Sequence, residues 1–292
     1  MIEFMSLVKR NFKCYIRDGG AVFFSLLSAI ILLTLYLLFL GNIVVGDLGD
    51  YISDNKVIDY LKYSQMLAGV LVINSVSLSF GGCLTMVRDS ESRVMDSFLV
   101  TPVNRLNITL SYFTTAIIYS VAINSLLWSV GIIGVGFLTG HWYAWDTILI
   151  VFSIIILNAL ISTSIMILLV SFIKSMSLFG ALNGVLGTFI AFISGVYLPY
   201  SEMPKAVEIV GSALPFTHMT IWLKQIMLRD PLAITGFPSD VTEMIKDGFS
   251  ANNIGLFTLD VPLWGMMLLA GGIAIICIVL AVLKIQKRLS QR

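Results

Sequence analysis

Long apolar blocks, separated by short polar breaks, dominate the hydrophobic pattern of this chain. A helix that crosses the hydrocarbon core of a bilayer, about 30 Å thick, needs about 20 apolar residues. The blocks that reach this length are residues 20–40, 64–87, 108–138, 147–173, 175–198 and 261–283. The fourth and fifth blocks are separated only by the region around Lys174, so we expect them to form a hairpin. The pattern therefore predicts an all-α integral membrane protein with six transmembrane helices.

The first 18 residues are amphipathic rather than uniformly apolar. In a helix, one face carries Met5, Val8, Phe12, Tyr15 and Ile16. The opposite face carries Lys9, Arg10, Lys13 and Arg17. A helix of this kind lies in the headgroup plane, with its basic face towards anionic lipid. We therefore predict an N-terminal interfacial helix, and the alternative is a simple basic flank to the first span.

The segment between the last two predicted spans contains a further apolar run at 206–223. Glu208, Pro215 and His218 interrupt this run, and a charge in the middle of a span costs about 2.5–3.5 kcal/mol on insertion scales. Two short helices that break at Pro215 and dip into the outer leaflet fit better than a seventh span. The residues that mark this re-entrant pair are Pro199, Pro204, Pro215 and His218.

Helix-end signals refine the same region. Pro204 suits the first turn of one short helix, and Thr217 suits the cap of the other. From 229 to 260 the chain is rich in turn residues such as Pro231 and Gly236, which predict a loop-like cap of about 30 residues. We expect all of 199–260 to be an extracellular re-entrant and cap region.

Composition supports one transmembrane domain over residues 1–292. Hydrophobic residues make up 58% of the chain and charged residues 12%, whereas soluble domains contain about 25% charged residues. The net charge is +1, which gives no reason to expect nucleic acid as a partner.

The positions of lysine and arginine predict the orientation, because basic residues concentrate in cytoplasmic loops. Twelve fall on one side of the predicted spans, namely Lys9, Arg10, Lys13, Arg17, Arg88, Arg93, Arg105, Lys174, Lys284, Lys287, Arg288 and Arg292. The first loop on the other side is mainly acidic, and the second contains no lysine or arginine. We therefore predict a multi-pass protein of the cell membrane with both termini in the cytoplasm.

The sequence contains no motif for catalysis. It has no GxxxxGK[ST] phosphate-binding loop, so we expect no nucleotide hydrolysis and no cofactor on this chain. His141 and His218 are the only histidines, which is too few for a metal cluster. We predict no catalytic, cofactor-binding or metal-binding residue.

Asparagines are the strongest polar groups inside the predicted spans, which carry no ionisable residue near their middle. Ion-coupled transporters usually keep such groups there, so the energy for any transport must come from a partner. The asparagines either join neighbouring helices by hydrogen bonds or face a substrate path. They are Asn74, Asn124, Asn158 and Asn183.

The predicted cytoplasmic loop 88–105 reads RDSESRVMDSFLVTPVNR. In it, Phe98 and Leu99 follow a mixed-charge helical stretch. A short helix that buries these two side chains in the groove of a protein partner, with its charges around the rim, accounts for the pattern. Alternatively, the loop is a connector whose apolar residues rest on lipid.

Residues 91–105 resemble the cytoplasmic coupling helix of type-2 ABC exporter permeases. That family carries a glutamate, a glycine two positions later, an acidic residue, a hydrophobic run, Thr/Ser-Pro-Val and a basic residue. The matching residues are Glu91, Asp96, Leu99, Val100, Thr101, Pro102, Val103 and Arg105. Arg93 stands where the family usually has glycine. Residues 194–227 are similar to the family's proline-bounded re-entrant segment through Ser194, Gly195, Leu198, Pro199, Met203, Pro204 and Leu214 to His218.

The resemblance covers nearly the whole chain and implies a permease subunit of an ATP-driven exporter. It implies a homodimer or heterodimer of permeases in the bilayer, with two copies of a cytoplasmic ABC ATPase that bind ATP and Mg. The residues that would couple the ATPase to the spans are Glu91, Arg93, Asp96, Phe98, Leu99, Thr101, Pro102 and Arg105.

The cargo that we expect is an amphipathic small molecule or peptide, as in multidrug efflux. Export of a polysaccharide or lipid-linked glycan is one alternative. A non-transporting sensor or scaffold that docks an ATPase is another.

Small residues form a stripe along the predicted fifth span, at intervals of four, three, four and four: Gly180, Gly184, Gly187, Ala191 and Gly195. Small residues let helix backbones approach closely in lipid. We expect this face to avoid lipid, and to pack either within one subunit or across a dimer interface.

Overall fold

The computed structural model of the chain describes residues 2–20, 54–99, 104–197, 203–252 and 262–290, together with Phe23, Leu27, Ile31 and Thr34. The helices with described bounds are α1 (Ile2–Ile16), α2 (Asn55–Gly82), α3 (Leu84–Glu91), α4 (Val94–Leu99), α5 (Arg105–Thr139), α6 (Trp145–Val170), α7 (Met176–Ile193), α8 (Lys205–Ser212), α9 (Pro215–Thr235), α10 (Ser239–Gly248) and α11 (Leu263–Ser290). No strand occurs in the described residues, so the predicted all-α class is confirmed.

Within this part of the chain, five helical segments are long and apolar enough to cross a membrane. They are Asn55–Glu91, Arg105–Thr139, Trp145–Val170, Met176–Ile193 and Trp264–Lys287. These segments correspond to the second to sixth predicted spans. Most of the first predicted span, 20–40, lies outside the described residues.

The predicted break between the fourth and fifth spans, near Lys174, is present in the structure. Helix α6 ends at Val170, and α7 begins at Met176. The Ser175 hydroxyl accepts a hydrogen bond from the Leu178 amide at 3.3 Å, which satisfies one of the free N–H groups at the start of α7.

Helix α2 forms the centre of the bundle. It packs against α5, α6, α7 and α9, and its most apolar stretch is wholly buried inside the chain. A Cβ added at Gly82 would lie 2.8 Å from the Ala116 Cα of α5, so the two backbones are in close contact there. A helix enclosed by neighbours on every side needs no one-sided apolar stripe.

Side-chain hydrogen bonds join α2 to α5 and α6. The Asn74 side-chain amide donates to the Asn124 Oδ1 at 3.0 Å. The Thr163 hydroxyl of α6 donates to the Ser79 hydroxyl at 3.0 Å. Bonds of this kind contribute about 0.6 kcal/mol each on average inside a membrane, so their main effect is to fix the register of the helices.

The outer region, residues 203–252, is more helical than predicted. The loop expected from 229 onwards is wrong as far as residue 248, because α9 continues through Pro231 to Thr235 and α10 follows. Leu228 of α9 and Ile245 of α10 bury together against Leu61 of α2. This apolar packing outweighs the local preference of Pro231 for turns, whereas Gly236 ends α9 in the left-handed conformation.

The predicted break between two helices is present, but the cap at Thr217 is wrong. The N-cap of α9 is Leu214, with Pro215 in the first turn, so Thr217 already lies within the helix. The His218 Nε2 lies 2.7 Å from the Ser212 carbonyl oxygen of α8, which links the two helices. That the pair re-enters the membrane stays a prediction.

Helix α1 packs on α5 through a face that differs from the predicted one. Val8 and Tyr15 are buried as expected, but Asn11 is buried with them. Met5 and Ile16, which belong to the predicted apolar face, are exposed. The helix is therefore part of the folded bundle, and its position in the headgroup plane stays a prediction.

Candidate functional site: the coupling region and the adjoining cavity

We call the end of the bundle that carries α1, α3 and α4 the inner end, and the end that carries α8, α9 and α10 the outer end. At the inner end, α3 stops at Glu91 and α4 starts at Val94. Between them Arg93 has a φ of 59°, in the left-handed region that glycine adopts without a Cβ penalty. The coupling-helix pattern usually has glycine at this position, and the turn gives that preference a physical reason.

A polar network centred on Asp89 of α3 holds the inner end together. Both terminal nitrogens of the Arg10 guanidinium donate to the Asp89 carboxylate, at 2.6 and 2.9 Å. The Tyr112 hydroxyl of α5 donates to the same carboxylate at 2.6 Å. The Asp89 side chain is only 7% exposed, so these donors replace water around its charge. Hydrogen bonding to Asp89 raises the pKa of Arg10, which keeps the guanidinium charged.

Arg10 also contacts α4, the helix predicted to couple to a partner. Its guanidinium carbon lies 5.2 Å from the centroid of the Phe98 ring, within the range of a cation–π interaction. Phe98 is half-buried and packs against the main apolar core. Phe98 therefore connects α4 to α1. Other side chains of α4 and of the turn before it are exposed, including Arg93, Val94 and Ser97.

Two further polar contacts reach from α3 to its neighbours. The Glu91 Oε2 accepts a hydrogen bond from the backbone amide of Met176, the first residue of α7, at 3.3 Å. Arg88 forms an ion pair with Asp18, which follows α1. Exposed pairs contribute less than about 1 kcal/mol each, so their effect is to position α7 and the end of α1 against α3.

A cavity of about 630 Å³ adjoins these contacts. It is lined by Asp18, Gly20, Leu27, Ile31, Gly81, Leu84, Arg88, Met176, Phe179, Gly180, Asn183, Gly184 and Thr188. The lining is mainly apolar, with one ion pair and the neutral polar side chains of α7. Both the volume and this mixture are typical of sites for drug-sized ligands, which occupy roughly 300–1,000 Å³.

The small-residue stripe of α7 has two parts. Gly187, Ala191 and Gly195 are buried, and Ala191 packs against apolar residues of α2. Gly180 and Gly184 instead line the cavity, where a Cβ added at either would meet no atom within 4 Å. The outer part of the stripe thus serves packing within the chain, and the inner part faces open space.

The four predicted asparagines have different surroundings. Asn74 and Asn124 bond to each other, and the Asn158 Oδ1 accepts from the Ser162 hydroxyl in the same helix at 3.4 Å. All three asparagines are buried. Asn183 is half-exposed and lines the cavity, so it is the one that the structure places beside a space for a ligand.

Several predicted residues lie at the margins of the described structure. Arg105 begins α5 and is exposed, and Pro204 is exposed just before α8. Outside the described structure lie Thr101, Pro102 and Pro199, together with the side chains of Asp96 and Leu99.

At the outer end, Lys224 of α9 is a buried cation that sequence reasoning missed. Its ammonium group donates to the carbonyl oxygens of Gly195 and Phe249, both at 2.9 Å. Burial lowers the pKa of Lys224 to about 7. The signal was visible, because this lysine lies within the largely apolar run IWLKQIML, where a cation needs a specific partner.

Sequence reasoning also missed the network around Asp89. It assigned Arg10 to a basic face directed at lipid, whereas the guanidinium points to a carboxylate 79 positions away. A contact between residues so far apart leaves no periodic signal in either segment. The tertiary arrangement of α1, α3 and α5 was needed to find it.

A family model described as ABC-2 type transporter matches residues 2–228. The match includes α1, the coupling region, the cavity lining and most of α9. No curated protein that was compared with the chain is significantly similar to it.

Proposed function

Because the chain belongs to the ABC-2 type transporter family, we propose that it is the membrane permease subunit of an ABC exporter in the cell membrane. Permeases of this family are membrane components that work with an ABC ATPase partner. The chain has no phosphate-binding loop, so ATP and Mg bind to the partner.

The observation that carries this proposal is the polar network at the inner end. A push on α4 reaches α1 through Phe98 and Arg10, and it reaches α3 and α5 through Asp89. It reaches α7 through Glu91. A network of this kind, whose links run from one short surface helix to four other helices, suits an element that transmits motion between discrete packings.

The exposed surface of the α3–α4 turn is the proposed docking site for the ATPase. Arg93, Val94 and Ser97 are exposed there, a combination of charge, apolar surface and small polar residues that resembles the rim and centre of a protein interface. The Phe98 ring is half-buried. It packs against the core and so holds the docking helix in place.

The cavity beside Asn183 is the proposed path for cargo. Its apolar walls and single ion pair suit an amphipathic small molecule or short peptide. A volume of about 630 Å³ accommodates one such molecule, whereas a polysaccharide chain requires a longer channel. Export of amphipathic compounds is therefore the cargo class that we favour over glycans.

Gly180 and Gly184 support a second permease subunit. Both face open space in the single chain, and small residues at this spacing allow close helix packing in lipid. We propose that a second copy, or a related permease, brings a helix to this face, with the cavity at its edge. Two permeases would then carry two ATPases.

Exposed side chains support the predicted orientation. Lys9 and Lys13 of α1 are exposed at the inner end, as expected on the cytoplasmic side. Trp142 and Trp145 are exposed between α5 and α6 at the other end of these helices, as expected of an aromatic belt at the opposite interface. Both termini are therefore proposed to be cytoplasmic.

Affinity purification of the tagged chain in mild detergent tests the proposal. We expect an ABC ATPase to co-purify, and we expect Val94→Asp to abolish the association because it places a charge in the docking surface. Met244→Asp is the matched control, since Met244 is also an exposed apolar residue but lies on α10 at the outer end. A chain that moves cargo with no nucleotide-hydrolysing partner present would refute the proposal.

Transport is tested with the purified complex in inside-out vesicles and the amphipathic dye rhodamine 6G. We expect ATP-dependent accumulation of the dye that Val94→Asp removes and Met244→Asp leaves intact. Association with an ATPase but no movement of the dye or of any other amphipathic compound would favour the sensor or scaffold alternative.

A further inference from the structure

Lys224 lies where three parts of the outer end meet. It belongs to α9 and is 1% exposed. One hydrogen bond reaches the Gly195 carbonyl, two residues beyond the end of α7, and the other reaches the Phe249 carbonyl, which directly follows α10. One side chain of α9 therefore holds the ends of two other helices.

Both acceptors suit a buried cation. Both are backbone carbonyls just beyond the last turn of a helix, on the side where the helix dipole places partial negative charge. Gly195 itself has a φ of 66°, so the chain turns sharply at the end of α7 and presents this carbonyl to α9. The ammonium group thus joins the backbone at the ends of two helices.

Helix α7 links this point to the inner end. Its first residue, Met176, donates to Glu91 of the coupling region, and Gly195 lies beyond its last turn. The 18 residues of α7 span about 27 Å at 1.5 Å per residue. Helix α7 therefore has a polar contact at each of its ends.

We propose that Lys224 is a positioning residue that clamps the outer end of α7 to the end of α10, so that the two move as one unit during the transport cycle. The clamp itself is a property of this chain alone. Its role in transport rests on the proposed function, because it assumes that an ATPase drives the coupling region.

Distance measurement on the full chain tests the clamp directly. Spin labels are placed at Phe192 on α7 and Met244 on α10, both of which are exposed, after the native cysteines have been replaced. We expect one narrow distance distribution in the wild type and in Lys224→Arg, which keeps the donors. Lys224→Met keeps the length of the side chain but removes them, and we expect its distribution to broaden. An unchanged distribution in Lys224→Met would overturn the clamp.

Gln225 provides a matched control from the neighbouring position. Its side-chain amide donates to the Ala251 carbonyl at 2.7 Å, so Gln225→Leu removes a contact with the same outer segment but leaves the bond to Gly195. We expect the narrow distribution to persist in this variant. Equal broadening in Gln225→Leu and Lys224→Met would show a general loosening of the outer region and would refute a specific role for Lys224.

Hydrogen exchange of the wild type keeps the proposal testable even where a variant fails to fold. Segments that open together exchange at a common rate. The amides in peptides that cover 194–197 and 247–252 should therefore exchange with the same opening free energy. Clearly different opening free energies for the two peptides would overturn the clamp.

Export measurements separate the clamp from the proposed function. In vesicles with the ATPase partner, we expect Lys224→Met to lower rhodamine 6G export by about tenfold or more, since it strands two buried acceptors, while ATP hydrolysis continues and Lys224→Arg restores export. Full export by Lys224→Met would refute the role in transport and leave the permease function intact. If no ATPase partner is found, the permease function fails, and the distance measurement still decides the clamp.

Discussion

The Arg10 guanidinium binds the Asp89 carboxylate through two hydrogen bonds, although 79 positions separate the two residues. The pair joins the N-terminal helix α1 to the inner end of the second predicted span. Since Arg10 also stacks on Phe98, one side chain connects the proposed docking helix to the bundle. This arrangement makes α1 part of the folded bundle at the inner end.

Replacing Asp89 with asparagine should destabilise the protein and uncouple it. The change removes the charge that Arg10 and Tyr112 bind. Breaking a buried ion pair costs about 3–5 kcal/mol. Because the Arg10 side chain is 33% exposed, we expect Asp89→Asn to lower the free energy of unfolding by about 2–3 kcal/mol. Chemical unfolding in detergent measures the loss. Arg88→Gln is the control, since the ion pair of Arg88 with Asp18 is more exposed and should contribute under about 1 kcal/mol. Equal losses of unfolding free energy in the two variants would contradict the assigned role of Asp89.

The turn at Arg93 should tolerate glycine better than alanine. Arg93 has a φ of 59°, and this conformation costs a residue with a Cβ about 1–2 kcal/mol. Glycine avoids that cost but loses about 0.5–1 kcal/mol through the greater freedom of the unfolded chain. We therefore expect Arg93→Gly to be more stable than Arg93→Ala by up to about 1 kcal/mol in thermal unfolding. A more stable Arg93→Ala would show that the turn does not hold this conformation.

The second to sixth spans were predictable from sequence because the thickness of the bilayer sets the length of an apolar helix. The block 108–138, for example, corresponds to the span Arg105–Thr139. The outer region was predicted less well, because packing of Leu228 and Ile245 against α2 overrides the turn propensity of Pro231, whereas Gly236 ends α9 as a turn residue. Local propensity fails where burial of apolar surface contributes more.

The coupling residues were predictable only in part. The resemblance placed a helix within 91–105 and a family glycine at the position of Arg93, because that motif is local in sequence. It did not predict the turn between Glu91 and Val94. Asp89 and Lys224 were not found, since the partners of each come from distant segments. A charge flanked by apolar residues is the signal that would have identified Lys224 as a candidate. Asp89 lies in the polar run RDSE and carries no such signal.

Gly82 should not tolerate even one added methyl group. A Cβ at this position would lie 2.8 Å from the Ala116 Cα, and a backbone atom cannot move aside as a flexible side chain does. Overpacking of this kind costs about 1–3 kcal/mol, so we expect Gly82→Ala to lower the free energy of unfolding by this amount. Gly184→Ala is the matched control, because its new methyl group meets no atom of the chain. Similar stabilities for the two variants would refute the close contact of α2 and α5.

A large side chain at Gly184 should block transport without preventing insertion. Gly184 lines the cavity and faces open space, so leucine fits the single chain but fills the path or holds a second subunit away. We expect Gly184→Leu to reach the membrane in normal amounts and to lose ATP-driven rhodamine 6G export. Protease accessibility and vesicle transport measure the two properties. Full export by this variant would exclude a role for the inner part of the stripe.

Asn183 and Asn124 should respond to substitution in different ways, because one lines the cavity and the other bonds within the bundle. Asn124→Ala leaves the Asn74 side chain buried with no partner from α5, and we expect it to lower stability by about 1 kcal/mol while the apparent KM for dye-stimulated ATP hydrolysis stays the same. Asn183→Ala should leave stability nearly unchanged and alter that KM several-fold, since it changes a group that lines the proposed cargo path. ATPase assays of the reconstituted complex over a range of rhodamine 6G concentrations measure the difference. A change of KM in Asn124→Ala with none in Asn183→Ala would move the cargo path from the cavity to the centre of the bundle.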